Sequence, residues 1–102
     1  MPQVERILEV WGGEPQTIIG GDFNATPGTD EIASLRNAGL VSGQDAIGNA
    51  ALNTFIAFDP FIRIDYVMGS PDVRFISSDV PRSLASDHLP VVVEIALPLT
   101  DR

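Results

Sequence analysis

The chain has no cysteine. That excludes disulfides, thiolate nucleophiles, zinc ribbons and iron–sulfur clusters. It has one histidine, which excludes metal sites built from several imidazoles of one chain. Any resident metal must therefore be held by oxygen, which points to magnesium, manganese or calcium. Basic residues are scarce: six Lys and Arg stand against fourteen Asp and Glu, a formal charge of −8. Non-specific nucleic-acid binding rests on Lys and Arg displacing counterions from phosphates, so this acidic chain is disfavoured for it. An acidic balance suits a divalent cation, and a bound cation reverses the local field. Long apolar runs are also missing. The longest, residues 91–99, is interrupted by Glu94 and Pro98 and falls far short of the roughly 20 residues a membrane helix needs. Met1-Pro2 leads into an acidic amphipathic segment, with no signal-peptide pattern. The chain reads as soluble, with no compartment assigned.

What is present is ordinary for one globular domain. A length of 102 residues with 44% hydrophobic and 20% charged content fits a single compact unit over 1–102. Val4, Ile7, Leu8 and Trp11 repeat at i, i+3, i+4 and i+7, the stripe of a helix over residues 3–11. Gly12 and Gly13 stop it. Residues 17–23 read as a buried strand with paired glycines that permit close backbone approach. Residues 24–29 form a loop. Thr29 or Asp30 caps a second helix carrying Ile32, Leu35 and Arg36, and Gly39 ends it. Residues 41–53, rich in Gly, Asn, Ser and Ala, read as a long loop.

Strands follow at residues 54–58, at 62–67, at 73–77 with Val73, Phe75 and Ser77 on one face, and at 91–97, the last largely buried. Period-2 alternation puts Asp65 on the face opposite Ile64 and Tyr66. Two helices followed by a majority of strands imply an α/β layered domain with a mixed or antiparallel sheet.

Three short acidic motifs carry the chemistry: Gly21-Asp22-Phe23-Asn24, Arg63-Ile64-Asp65-Tyr66 and Ser86-Asp87-His88. Each lies beside an apolar run that reads as a strand. Converging strand ends would gather three carboxylates, an amide and an imidazole at one place. Asp22 can orient an attacking water, and Asn24 can donate to a phosphoryl oxygen as charge builds on it. The competing reading of that pair is a turn in which Asp and Asn bond their own backbone. Neighbouring side chains on an extended chain point apart, so His88 takes its partner from elsewhere than Asp87, and Asp65 is the best candidate. A carboxylate on one imidazole nitrogen fixes the tautomer and favours the charged ring, so the expectation is a raised pKa for His88. A plain ion pair of Asp65 with Arg63 or Arg82 competes with that role.

Taken in order, Gly21-Asp22-Phe23-Asn24-Ala25-Thr26-Pro27, Arg63-Ile64-Asp65-Tyr66-Val67 and Ser86-Asp87-His88-Leu89-Pro90-Val91 resemble the C-terminal half of the endonuclease/exonuclease/phosphatase family. The resemblance implies half of a four-layered α/β sandwich of the pancreatic deoxyribonuclease type, with a site at the sheet ends. It implies a phosphoester substrate and Mg2+ or Mn2+. By position Asp22 matches the residue that aligns or deprotonates water. Asn24 matches the amide that steadies the phosphoryl group, and Asp87 a carboxylate near the metal. His88 matches the imidazole on the scissile phosphate, and Asp65 its orienting carboxylate.

The first-half motifs of that family, including its metal-binding glutamate, are not in these 102 residues. Little turnover and doubtful metal binding are the expectation for the chain by itself. Half a sandwich also leaves an apolar inner face to cover, which implies a homodimer or a separate first half as partner. Two functions follow. One is a divalent-metal-dependent phosphodiester hydrolase. The other is a catalytically silent folded half that self-associates as an interaction module.

Overall fold

The computed structural model describes residues 2–49, 52–57, 60 and 62–97. Helix α1 spans Pro2–Trp11, with Val4 and Trp11 buried and Ile7 and Leu8 half-buried on one stripe. It ends where Gly12 and Gly13 take positive φ, which costs a side-chain-free residue little. Strand β1 is Ile18–Asp22, and helix α2 is Asp30–Asn37. Thr29 caps α2: its hydroxyl accepts from the Ile32 N–H and donates to the Thr26 carbonyl. Asp30 and Glu31 open that helix and Arg36 closes it, in the sense its dipole favours.

Residues 41–53 are not simply a loop. They hold a two-residue strand β2 (Val41–Ser42) and a short helix α3 (Gly43–Ile47). The polar composition hid this helix because its stabilising contacts are tertiary. The Gln44 side chain is buried and its amide donates to the carbonyls of Asn49 and Leu52. Gly43 lies so close to the next sheet that an added Cβ would meet the Phe75 ring at 2.9 Å.

Strands β3 (Asp65–Gly69), β4 (Arg74–Asp79) and β5 (Val92–Ala96) complete the fold. Strands β1, β3 and β2 form one antiparallel sheet in that order, and β4 pairs antiparallel with β5 in a second. Helices α1 and α2 cover the face of the first sheet that carries Ile19, Tyr66 and Met68, and the main core lies between. A smaller cluster of Ala57, Val80 and Leu89, joined by Val91, lies under the loop that carries the histidine. No helix among the described residues is long and apolar enough to cross a membrane. The α/β class with antiparallel sheets is as the sequence implied.

Several local expectations are corrected. Residues 54–57 do not form a strand. They make isolated bridges, Phe55 with Ile62 and Phe55 with His88, and Phe58 falls outside the described residues. Strand β1 is mostly exposed rather than buried, because it lies at the edge of its sheet among the described residues. Strand β5 is not largely buried either. Val92 is 53% exposed, since β4 is the one strand that pairs β5 among the described residues. In β4 the register shifts between Phe75 and Ser77. That bulge turns Ser78, rather than Ser77, to the side of Phe75.

Candidate active site

The site forms where β1 ends and β3 begins. Asp22 and Asp65 are direct cross-strand partners at the last position of the β1–β3 ladder, so their side chains leave the sheet on the same face. That face is opposite the one carrying Tyr66 and Met68, as the alternation required. Two carboxylates directly across a ladder repel each other. The imidazole of His88 lies beside both. Its Nδ1–H donates to Asp65 Oδ2 at 2.7 Å. Its Nε2 faces Asp22 Oδ2 at 3.7 Å. The one hydrogen bond fixes the ring, and the other nitrogen is left toward Asp22 and solvent.

The electrostatics follow from that geometry. The hydrogen bond that His88 donates to Asp65 is the largest cause holding the His88 pKa above its ordinary value. Partial burial works against it, and the charges of Asp65, Asp22 and Asp87 add to it. Arg63 does not compete for Asp65. Its guanidinium reaches Asp45 at 3.0 Å and Ser42 Oγ at 2.6 Å, and lies 4.8 Å above the Tyr66 ring. Arg82 sits exposed in the loop after β4. The Tyr66 hydroxyl donates to the Ala25 carbonyl, and burial pushes its pKa up to about 12. Its hydrogen bond ties the loop behind Asn24 to the first sheet.

Asn24 adopts φ +50, a left-handed conformation that Asn tolerates better than most residues. Its backbone N–H donates to Asp22 Oδ1 at 2.7 Å. The local Asp–Asn turn weighed from the sequence is therefore present. It leaves Asp22 Oδ2 toward His88, so the turn and the site coexist. The Asn24 side chain is on the exposed side of this turn. Asp87 is exposed on the same loop as His88.

Among the described residues, Asp22, Asp65 and His88 form the one group of three acidic or imidazole side chains whose ligand atoms lie within 4.8 Å of one another. Asp87 is not a member. Two carboxylates suit a hard divalent cation. The imidazole suits it less, because Nδ1 is already bound to Asp65 and protonation is favoured.

Two residues escaped the sequence reading. Phe55 stacks obliquely on the His88 ring at 4.7 Å between centroids. Thr54 is fully buried and hydrogen-bonded on both sides of the site. A signal was available for Thr54, the one polar residue in Thr54-Phe55-Ile56-Ala57. A groove of about 680 Å³ runs between α1 and β1 and touches the site at Asp22 and Phe23. Its lining is largely apolar, and the cluster of Asp22, Asp65 and His88 lies at its end rather than within it.

A family model described as Endonuclease/Exonuclease/phosphatase family matches residues 6–88. That stretch contains all three acidic motifs and ends on His88. Comparisons with curated proteins and with solved structures give no match.

Proposed function

Because this chain belongs to the endonuclease/exonuclease/phosphatase family, we propose that it is a divalent-metal-dependent phosphodiester hydrolase. One observation carries the reading: Asp22, Asp65 and His88, distant in sequence, meet within 4.8 Å. In this reading Asp22 aligns the attacking water. Asn24, one short turn away, donates its side-chain amide to a phosphoryl oxygen. His88, held by Asp65 and favoured in its charged form, meets the scissile phosphate and offsets the charge that develops there.

Mg2+ or Mn2+ fits this acidic end of the sheet. The carboxylates grouped there, Asp22 and Asp65, would hold it through oxygen, with Asp87 outside that group, and it would polarise the phosphoryl group. The residues then do what a static framework can do. Asp65 sets the imidazole tautomer, and the Asp22–Asn24 turn sets the direction of the carboxylate.

The test is hydrolysis of bis(p-nitrophenyl) phosphate with Mg2+ or Mn2+ at high protein concentration. Slow turnover is expected that vanishes with EDTA and in Asp22→Ala. A folded chain without any turnover would sink this reading for these 102 residues.

A second reading, a silent half that self-associates, is favoured by one observation. Strand β1, at the sheet edge among the described residues, and β5 leave Ile18 at 41% and Val92 at 53% exposure. A second copy, or a separate first half of the sandwich, would cover them. Sedimentation equilibrium that stays monomeric at high concentration would count against the homodimer.

A further inference from the structure

We infer that Thr54 is a positioning residue that holds the Asp65–His88 pair in register; the inference rests on the phosphoesterase reading above. Thr54 has no exposed surface. Its Oγ1 accepts from the backbone N–H of both Ile64 and Asp65, each at 3.2 Å. Its carbonyl accepts from the Leu89 N–H at 2.7 Å, and its own N–H donates to the Ile62 carbonyl at 2.8 Å. One residue thus binds the segment that carries the carboxylate and the segment that carries the imidazole.

Neighbouring bonds reinforce the same seam. The Ala57 N–H donates to the Asp87 carbonyl at 2.7 Å, and the Phe55 ring lies against His88. The segment around Thr54 is not a regular strand, so it offers no full ladder to the start of β3. The N–H groups of Ile64 and Asp65 are met by a side-chain hydroxyl instead. Buried backbone donors require a partner, and removing the hydroxyl leaves two of them without this one. The backbone at Asp65 must then shift to find another, and the carboxylate shifts with it.

The test uses Thr54→Val, which keeps the shape and removes the acceptor, and Thr54→Ser, which keeps the hydroxyl. Two readouts are taken on the full chain. One is steady-state hydrolysis of bis(p-nitrophenyl) phosphate with Mn2+. The other is the long-range 1H–15N correlation of the His88 ring at alkaline pH, which reads its tautomer. Thr54→Val should lower kcat by about 10²-fold with KM nearly unchanged, the size of effect that a 1 Å misplacement produces. It should also convert a single Nδ1–H tautomer into a mixture. Thr54→Ser should retain both properties.

Wild-type kcat and tautomer in Thr54→Val would overturn the inference. So would equal losses in Thr54→Ser, because the methyl group would then be what matters. If the wild-type chain shows no turnover, the phosphoesterase reading fails separately. The tautomer then decides: a mixture in Thr54→Val alone supports positioning, and a single tautomer in all three proteins overturns it. Should Thr54→Val not fold, Thr54→Ala takes its place with the same readouts and the same expected losses, since it too removes the acceptor hydroxyl.

Discussion

The Asp65 carboxylate and the His88 imidazole, 23 residues apart in sequence, are joined by a 2.7 Å hydrogen bond. Asp65 is also the direct cross-strand partner of Asp22. The imidazole therefore answers a problem the sheet creates, two carboxylates side by side at the end of a ladder. Removing the charge on either side of the bond should be felt by the other.

In Asp65→Asn the anionic acceptor is lost while the shape is kept. The His88 pKa should fall toward its ordinary 6.5, measured by NMR titration of the ring. Turnover should fall by about 10²–10⁴-fold, the usual worth of a positioned proton-transfer or charge-bearing group. An unchanged titration in the folded variant would show that the bond is not made in solution.

The raised His88 pKa also has a stability consequence with a definite sign. A group that binds its proton more tightly when folded adds stability that is fully present below the unfolded value of 6.5. That stability is lost as pH rises through the folded pKa. Denaturant midpoints should therefore drift down on the alkaline side of 6.5, and His88→Gln should flatten that drift. On the acid side, the hydrogen bond from Ser70 and then that from the Gln16 N–H hold Asp72 below its ordinary 3.8. Its contribution is present above 3.8 and disappears as pH falls through the folded value. Urea titrations at several pH values separate the two arms.

Asn24 offers a way to divide backbone from side-chain roles. Asn24→Gly relieves the positive φ of +50 and removes the amide. The melting temperature should stay level or rise slightly. At the same time kcat should fall by about 10²–10³-fold, the typical worth of one donor to a developing oxyanion. A variant with full activity would take Asn24 out of the site.

Gly43 tests how α3 is held. An added Cβ would lie 2.9 Å from one Phe75 ring carbon and 3.1 Å from a Val93 methyl. Gly43→Ala should cost about 1–3 kcal/mol of stability through overpacking, read from the urea midpoint at constant slope. Because the added Cβ would meet Phe75 and Val93 rather than Asp22, Asp65 or His88, turnover of the folded fraction should be unchanged. A stability equal to the wild type would mean that the second sheet yields easily.

The parts legible in the sequence are those decided by local pattern. The stripe of Val4, Ile7, Leu8 and Trp11 marks α1 without any tertiary information. Thr29 marks the start of α2, and the alternation around Tyr66 puts Asp65 on the correct face. The pairing of Asp65 with His88 was reachable by elimination, since a single histidine beside Asp87 had to look elsewhere for its partner. Residues whose state depends on distant neighbours were not legible. Gln44 and Gly43 are poor local indicators of helix, yet α3 forms because Gln44 caps its own following loop and Gly43 fits against Phe75. Thr54 and Phe55 looked like a strand because β-branched and aromatic residues favour one. Their hydrogen bonds go instead to Ile62 and Leu89 in isolated bridges.

Composition alone excluded cysteine ligation and thiol chemistry from these 102 residues, because that limit depends only on which atoms they contain. Motif order likewise settled the family, since short residue patterns persist however the intervening loops fold. Which strand lies at an edge, which apolar residues stay wet and which hydroxyl meets the backbone at Asp65 were decided by folding. Those properties are set by what lies a few ångströms away, and sequence distance does not measure that.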